Sequence, residues 1–315
     1  MKKVIITGGS GTVGQAFIKN NYEEYKFISF SRNEKSQVAL KRKFPKVDIV
    51  LGSVEDKNDY SNLVYKVRPE IIIHSAALKH VDTAEKQPIE LVKSNIIGSK
   101  NIIDISKEFE IPITIGISTD KACNPKNLYG FSKLLMEKMF LEANNIKTKF
   151  SCTRFGNVAG SNGSVIPYWL NQNDQGIPLN ITHVEMRRLM ITPEECSEII
   201  NNTIIETQNS DGGFVMSKLM KSVKLFELAK LISEDINIIG LRDGEELDED
   251  LVSENEIENS YLSGDYVKIT NHKNYDLNSR IKKPISSKTS EFMNIDELKN
   301  LIRIVKENIV DKKIY

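Results

Sequence analysis

The chain has 315 residues, 43 Lys and Arg against 43 Asp and Glu, 40% hydrophobic residues and a mean hydropathy of −0.32. These values exclude a collagen-like, disordered or supercharged chain. A formal net charge of zero argues against a protein whose main work is to hold nucleic acid or an anionic membrane, so an anionic ligand has to be met by local groups.

The length predicts two domains, or one large core with an appended lobe. Cys123, Cys152 and Cys196 are too few and too dispersed for a disulfide framework or a cysteine-rich metal site. No window approaches a membrane-spanning apolar run, and the opening MKKVIITGGSG lacks the apolar region of a signal peptide. A soluble, cytoplasmic protein is expected.

In chain order, short β-branched runs at 4–6, 27–30, 49–51, 71–74 and 113–117 read as strands buried on both faces. Between them, 14–21, 33–43, 60–67, 90–109 and 129–144 carry apolar residues at helical spacing. The alternation predicts an α/β fold with a doubly wound parallel sheet. Beyond about residue 160 come Asn-rich loops, a helix at 192–208, a strand at 213–216 and a helix at 223–233. An acidic, loop-rich tail follows, closed by a helix near 294–308. The expected division is a Rossmann-like domain over 1–160, rejoined by the chain around 186–216, and a smaller ligand-binding lobe over 161–315.

Three glycines at three-residue intervals, Gly8, Gly11 and Gly14, lie between the first strand and the first helix. Glycine permits a tight turn and a close backbone approach, and the helix then offers its first N–H groups to a pyrophosphate. Thr7, Ser10, Thr12 and Val13 complete this candidate dinucleotide loop. At the end of the second strand, Ser31 and Arg32, with Lys35 nearby, suit a ribose 2′-phosphate, because a guanidinium forks onto phosphate oxygens. NADP is therefore expected ahead of NAD, which Glu34 leaves open.

Tyr129 and Lys133 stand four residues apart, on one helix face. A phenol titrating near about 10 becomes a usable base where a fixed cation favours phenolate. Ser118-Thr119-Asp120-Lys121 follows the strand at 113–117 and so falls at the carboxyl edge, where open α/β sheets bind ligands. An adjacent carboxyl and amine can supply the acid and base of an elimination.

With TGGSGTVG at 7–14, HSAALKHV at 74–81, STDKACNPKNLYGFSK at 118–133, RFGNVAGSNGSVIP at 154–167 and LRDGEEL at 241–247, the chain resembles the extended short-chain dehydrogenase/reductases. Within them it is most similar to the UDP-N-acetylglucosamine 4,6-dehydratases that invert C5. The resemblance covers most of the first 250 residues and is loose over the last 60.

It implies a redox-neutral cycle on one NADP. Tyr129, helped by Lys133 and Thr119, takes the C4 hydroxyl proton; Lys121 removes the C5 proton while Asp120 protonates the departing C6 hydroxyl; hydride returns to C6. Related glucose dehydratases carry Asp-Glu where this chain has Asp120-Lys121, which points to an N-acetylhexosamine. The resemblance further implies that Ser53, Val54, Ala76 and Ala77 border the cofactor, with Ser53 replacing the usual aspartate. Lys79, Asn157, Arg188, Arg242 and Glu245 would contact the UDP-sugar, with Asp243 replacing the proline of an Arg-Pro-Gly-Glu motif. It also implies a homo-oligomer.

His74, His80, His183 and His272 show no paired ligand spacing, so no metal is expected. Other readings remain: a UDP-sugar 4-epimerase, a C5-retaining dehydratase, or a catalytically silent NADP-binding regulator.

Overall fold

The computed structural model describes residues 1–270 and 277–314; His272 lies outside them. Nine strands form the main sheet in the spatial order Ser260–Ser263, Tyr266–Thr270, Phe214–Lys218, Lys149–Thr153, Ile113–Ile117, Ile71–His74, Lys2–Thr7, Tyr25–Ser31, Asp48–Leu51. From Phe214–Lys218 to Asp48–Leu51 every neighbour pairs parallel, and the hairpin at the other edge pairs antiparallel. This is a doubly wound α/β sheet. Its strand order reverses at Lys2–Thr7, which pairs with Tyr25–Ser31 on one side and Ile71–His74 on the other. Such a switch opens a crevice at the carboxyl ends of the strands.

Alternation along each strand divides the core. Val4 and Ile6 point to one face, where Phe17, Leu40 and Ile199 cover them from helices Thr12–Asn20, Glu34–Lys43 and Pro193–Asn209. Ile5 points to the other, against Tyr60, Ile102 and Phe140 from helices Lys57–Val67, Gly98–Glu108 and Leu128–Ala143. A third, separate cluster gathers around Trp169, Leu179, Leu228 and Ile302.

Several elements differ from expectation. The helix expected at 90–109 is broken into Pro88–Leu91, a π turn at Val92–Ile97 and Gly98–Glu108. The π turn buries Asn95, whose side chain accepts from Leu78 N at 2.8 Å and donates to Leu78 O at 3.0 Å and Ser132 Oγ at 2.9 Å. A buried amide thus pins the loop after Ile71–His74 to the Tyr129 helix. Residue 223, expected in a helix, pairs with Arg188 in strand Ser222–Lys224, and the helix is Leu225–Lys230. The expected loop-rich tail contains the edge hairpin, which turns through Gly264 at φ +58.

Candidate active site

The glycine loop is built as its spacing requires. Gly8 has φ +72, and a Cβ there would lie 3.0 Å from Ala76 N; one on Gly14 would lie 2.6 Å from Gly9 O. Helix Thr12–Asn20 starts at Gly11 with no side-chain cap, leaving its first N–H groups directed outward. Thr12 Oγ1 is buried and has no hydrogen-bond partner among the described residues. Thr7, by contrast, is not on the wall of the crevice: its hydroxyl bonds His74 Nδ1 at 2.8 Å and accepts from Ala76 N at 3.3 Å, supporting the loop from below.

A cavity of about 800 Å³ runs from this loop to the smaller lobe. Gly8, Ser10, Gly11, Thr12 and Val13 line one end with Ser31, Arg32 and Val54; Ala76 and Ala77 line its floor. Gly14 and Ser53 stand behind the wall, Gly14 through helix packing and Ser53 by accepting from Glu55 N at 3.3 Å. Arg32 is held at 3.0 Å by Glu55.

Thr119, Lys121, Tyr129 and Lys133 converge on the middle of the same cavity. Asn127 caps the tyrosine helix by accepting from Gly130 N at 2.9 Å. A Cβ on Gly130 would stand 2.3 Å from Lys121 O, so glycine lets this helix lie against the turn Asp120–Ala122. Burial pushes the Tyr129 phenol up to about 12, while Lys121 and the Thr119 hydroxyl pull it the other way. The expected pairing with Lys133 is not made: its amine contacts Met136 Sδ at 3.1 Å, and burial lowers it to about 8. The cation acting on the phenol is Lys121.

Asp120 also departs from expectation, since it is fully buried behind the wall. Its Oδ1 accepts from Thr119 Oγ1 at 2.8 Å, Lys121 N at 2.8 Å and Lys121 Nζ at 3.3 Å, whereas Oδ2 has no partner among the described residues.

The Lys121 amine faces inward, with its side chain 17% exposed, between Asp120, Asn157 Oδ1 at 3.2 Å and Glu249 Oε1 at 3.2 Å. Burial opposes its charge, but Asp120 and Glu249 outweigh burial and hold it above the ordinary lysine range. Glu249 is a wall residue that sequence reasoning missed; it lies in the irregular stretch after LRDGEEL, outside any periodic element.

The other expected contact residues share the cavity but have protein partners. Arg188 is buried and lies 3.7 Å from Glu249. Asn157 is engaged by Lys121. Lys79 donates to Asn162 O at 2.7 Å, and Arg242 pairs with Asp82 at 3.6 Å. The Glu245 carboxylate accepts from Arg242 N at 3.1 Å, closing its own turn, and Asp243 lines the wall beside it.

A sequence profile of polysaccharide biosynthesis proteins matches residues 4–271. The chain is 37% identical over 281 residues to the UDP-N-acetylglucosamine 4,6-dehydratase (inverting) of Campylobacter jejuni, covering 85% of this chain and 83% of that protein. It is 32% identical to the UDP-glucose 4-epimerase of Rickettsia bellii, over 96% of this chain and 95% of that protein. The X-ray structure of Pen from Bacillus thuringiensis superposes with a TM-score of 0.88 at 28% identity, covering 97% of this chain and 98% of that one. With its doubly wound sheet and the glycine loop, Tyr129 and Lys133 on one cavity, this chain belongs to the polysaccharide biosynthesis proteins of the extended short-chain dehydrogenase/reductase type.

Proposed function

We propose that the chain is a sugar-nucleotide 4,6-dehydratase, a hydro-lyase, acting on UDP-N-acetylglucosamine with inversion at C5. The observation that carries this reading is the inward-facing Lys121 amine, 3.3 Å from a buried carboxyl on the same cavity as Tyr129. A redox step alone needs no such pair.

The cavity fits a nicotinamide dinucleotide: Gly8 and Gly11 line its end at the uncapped start of helix Thr12–Asn20, and Thr12 Oγ1 and Ser118 Oγ are buried on the wall without partners among the described residues. When bound, that group supplies the hydride acceptor and donor. We assign its phosphates to the glycine loop and its 2′-phosphate, as NADP, to Ser31 and Arg32. Arg32 then exchanges Glu55 for phosphate. Arg32→Ala is expected to weaken NADP by about tenfold or more, the worth of one charge-assisted hydrogen bond, and NAD much less. Equal losses for the two in a fluorescence titration would reject the assignment.

Tyr129 accepts the C4 hydroxyl proton, with Thr119 and a cation stabilising the phenolate. With the C4 hydride accepted by the group held at the glycine loop, the ketone so formed would acidify C5. Transfer of the Lys121 ammonium proton to Asp120 across 3.3 Å leaves a neutral amine that takes the C5 proton, the C–H electron pair forms the C5–C6 double bond, and the C6–O bond breaks. Asp120, acting through Thr119 or Lys121, supplies the proton with which hydroxide leaves as water. Lys121 and Asp120 are then back in their starting charge states, C5 takes a proton from water, and the group held by the glycine loop would supply the hydride to C6. Arg188, Arg242 and Lys79 are proposed to meet the diphosphate, with Asn157 and Glu245 as further contacts in the lobe formed mainly by residues 161–315.

Incubation with UDP-N-acetylglucosamine, followed by proton NMR, is expected to give a C6 methyl signal and a C4 ketone or its hydrate. A 4-epimer is the outcome of the second reading, which the Rickettsia relative favours by its coverage. An unchanged sugar would leave only a cofactor-binding regulator.

No helix among the described residues is long and apolar enough to cross a membrane. We propose a cytoplasmic enzyme, where nucleotide sugars are used, and a homo-oligomer that covers the exposed Ile89, Val92, Phe131 and Leu135 on adjoining helical segments. Sedimentation as a monomer would reject the oligomer.

A further inference from the structure

Glu249 is held in place by a ladder of alternating charges. On strand Arg187–Ile191, Arg187 points outward and forks onto Asp248 at 2.8 and 2.7 Å, while the next residue, Arg188, turns inward to Glu249. The segment carrying the two acids is tied at both ends. Arg187 N donates to Leu247 O at 2.8 Å, Arg188 Nη1 donates to the same oxygen at 3.2 Å, and Ser287 bonds Glu249 through its Oγ at 3.0 Å and its N at 2.9 Å. Ser287 Oγ also donates to Asp248 at 2.8 Å. These ties on residues 247–249 fix the backbone from which the Glu249 carboxylate reaches the Lys121 amine.

Around that amine stand Asp120 on its own turn, Glu249, Arg188 across the cavity and Tyr129 on the neighbouring helix. Two carboxylates face two cations in a largely buried volume. Lys121 and Glu249 also border a second cavity of about 300 Å³.

We propose that Glu249 is a positioning residue for Lys121, keeping the amine turned into the cleft and supplying the second negative charge against which it gains and loses its proton. This rests on the reading of Lys121 as the C5 base. A base must be neutral to act, and a carboxylate at 3.2 Å favours the ammonium, so removing that charge while keeping the shape makes the amine easier to deprotonate.

The test uses Glu249→Gln, Glu249→Asp and the unaltered protein. The pH dependence of cyanate carbamylation at Lys121, read by peptide mass spectrometry, requires no turnover. The Lys121 midpoint is expected to fall by about one pH unit or more in Glu249→Gln and to recover most of the way in Glu249→Asp. The rising limb of kcat against pH is expected to move down by the same amount, with KM for UDP-N-acetylglucosamine changed less than threefold. A carbamylation midpoint unmoved in Glu249→Gln overturns the proposal. A midpoint that moves in a protein that turns over no UDP-sugar upholds the Glu249–Lys121 assignment and rejects the dehydratase reading instead.

Discussion

Lys121→Ala is expected to lower the rate of water elimination by about 10²–10⁴-fold, the usual loss on removing a positioned proton-transfer group. That loss corresponds to roughly 3–5 kcal/mol of barrier. The alanine leaves Asp120 Oδ1 with the Thr119 hydroxyl and one backbone N–H, and it removes the group that touches Asp120, Asn157 and Glu249 together. C5 then has no acceptor. The Tyr129 phenol keeps its place and the Thr119 hydroxyl but loses the cation that lowers it, so reduction of the bound nicotinamide by the sugar is expected to persist, slowed, as a single-turnover absorbance change without release of water. Tyr129→Phe is expected to abolish both signals. An enzyme that only epimerises C4 would slow after Lys121→Ala no more than its C4 oxidation does and would still release a 4-epimer, and that result would exclude elimination as the native reaction.

Arg154→Ala is expected to destabilise the fold by about 3–5 kcal/mol, the cost of leaving a buried charge without its partner. Arg154 is 1% exposed; its Nε and Nη2 fork onto Glu137 at 3.0 and 2.7 Å, and Nη1 and Nη2 reach Glu256 at 3.0 and 2.8 Å. Nη1 also donates to Leu251 O at 2.9 Å. Glu137 is on the helix that carries Tyr129, Arg154 follows strand Lys149–Thr153, and Glu256 is in the tail turn Glu254–Asn259. The arginine therefore fastens the acidic tail to the helix that carries Tyr129. Its removal strands Glu137, 2% exposed, in the interior. Urea unfolding of the substituted protein is the check, and a midpoint near that of the unaltered chain would show the network to be dispensable. The arrest of Cys123 has the same origin: its Sγ donates to Glu256 at 3.1 Å and burial pushes the thiol up, so it is no nucleophile.

What could be read before folding follows from the range of each interaction. The βα alternation was legible because strands buried on both faces must be apolar throughout, and the glycine loop because its contacts lie within a few residues of one another. Tyr129 and Lys121 were legible through their motif. The partners of those residues were not, because they come from distant segments: Glu249 reaches Lys121 from a stretch with no periodicity, and Glu256 reaches Arg154 across 102 residues. The edge hairpin at 260–270 was obscured by the acidic composition around it, although Gly264-Asp265 marks its turn. Lys133 was legible in part, since it lines the cavity with Tyr129. Helical spacing places it on the Tyr129 face, but spacing does not say which way a long side chain turns, and here it lies against Met136.

The most direct test of the account is turnover of UDP-N-acetylglucosamine in deuterium oxide, followed by NMR at the ring carbons. A proton taken by Lys121 and exchanged with solvent predicts a 4-keto-6-deoxy product with deuterium at C5 and inverted configuration there. A product that keeps its original hydrogen at C5, or a 4-epimer without ring deuterium, would contradict the assignment of the Lys121 amine as the base of the elimination.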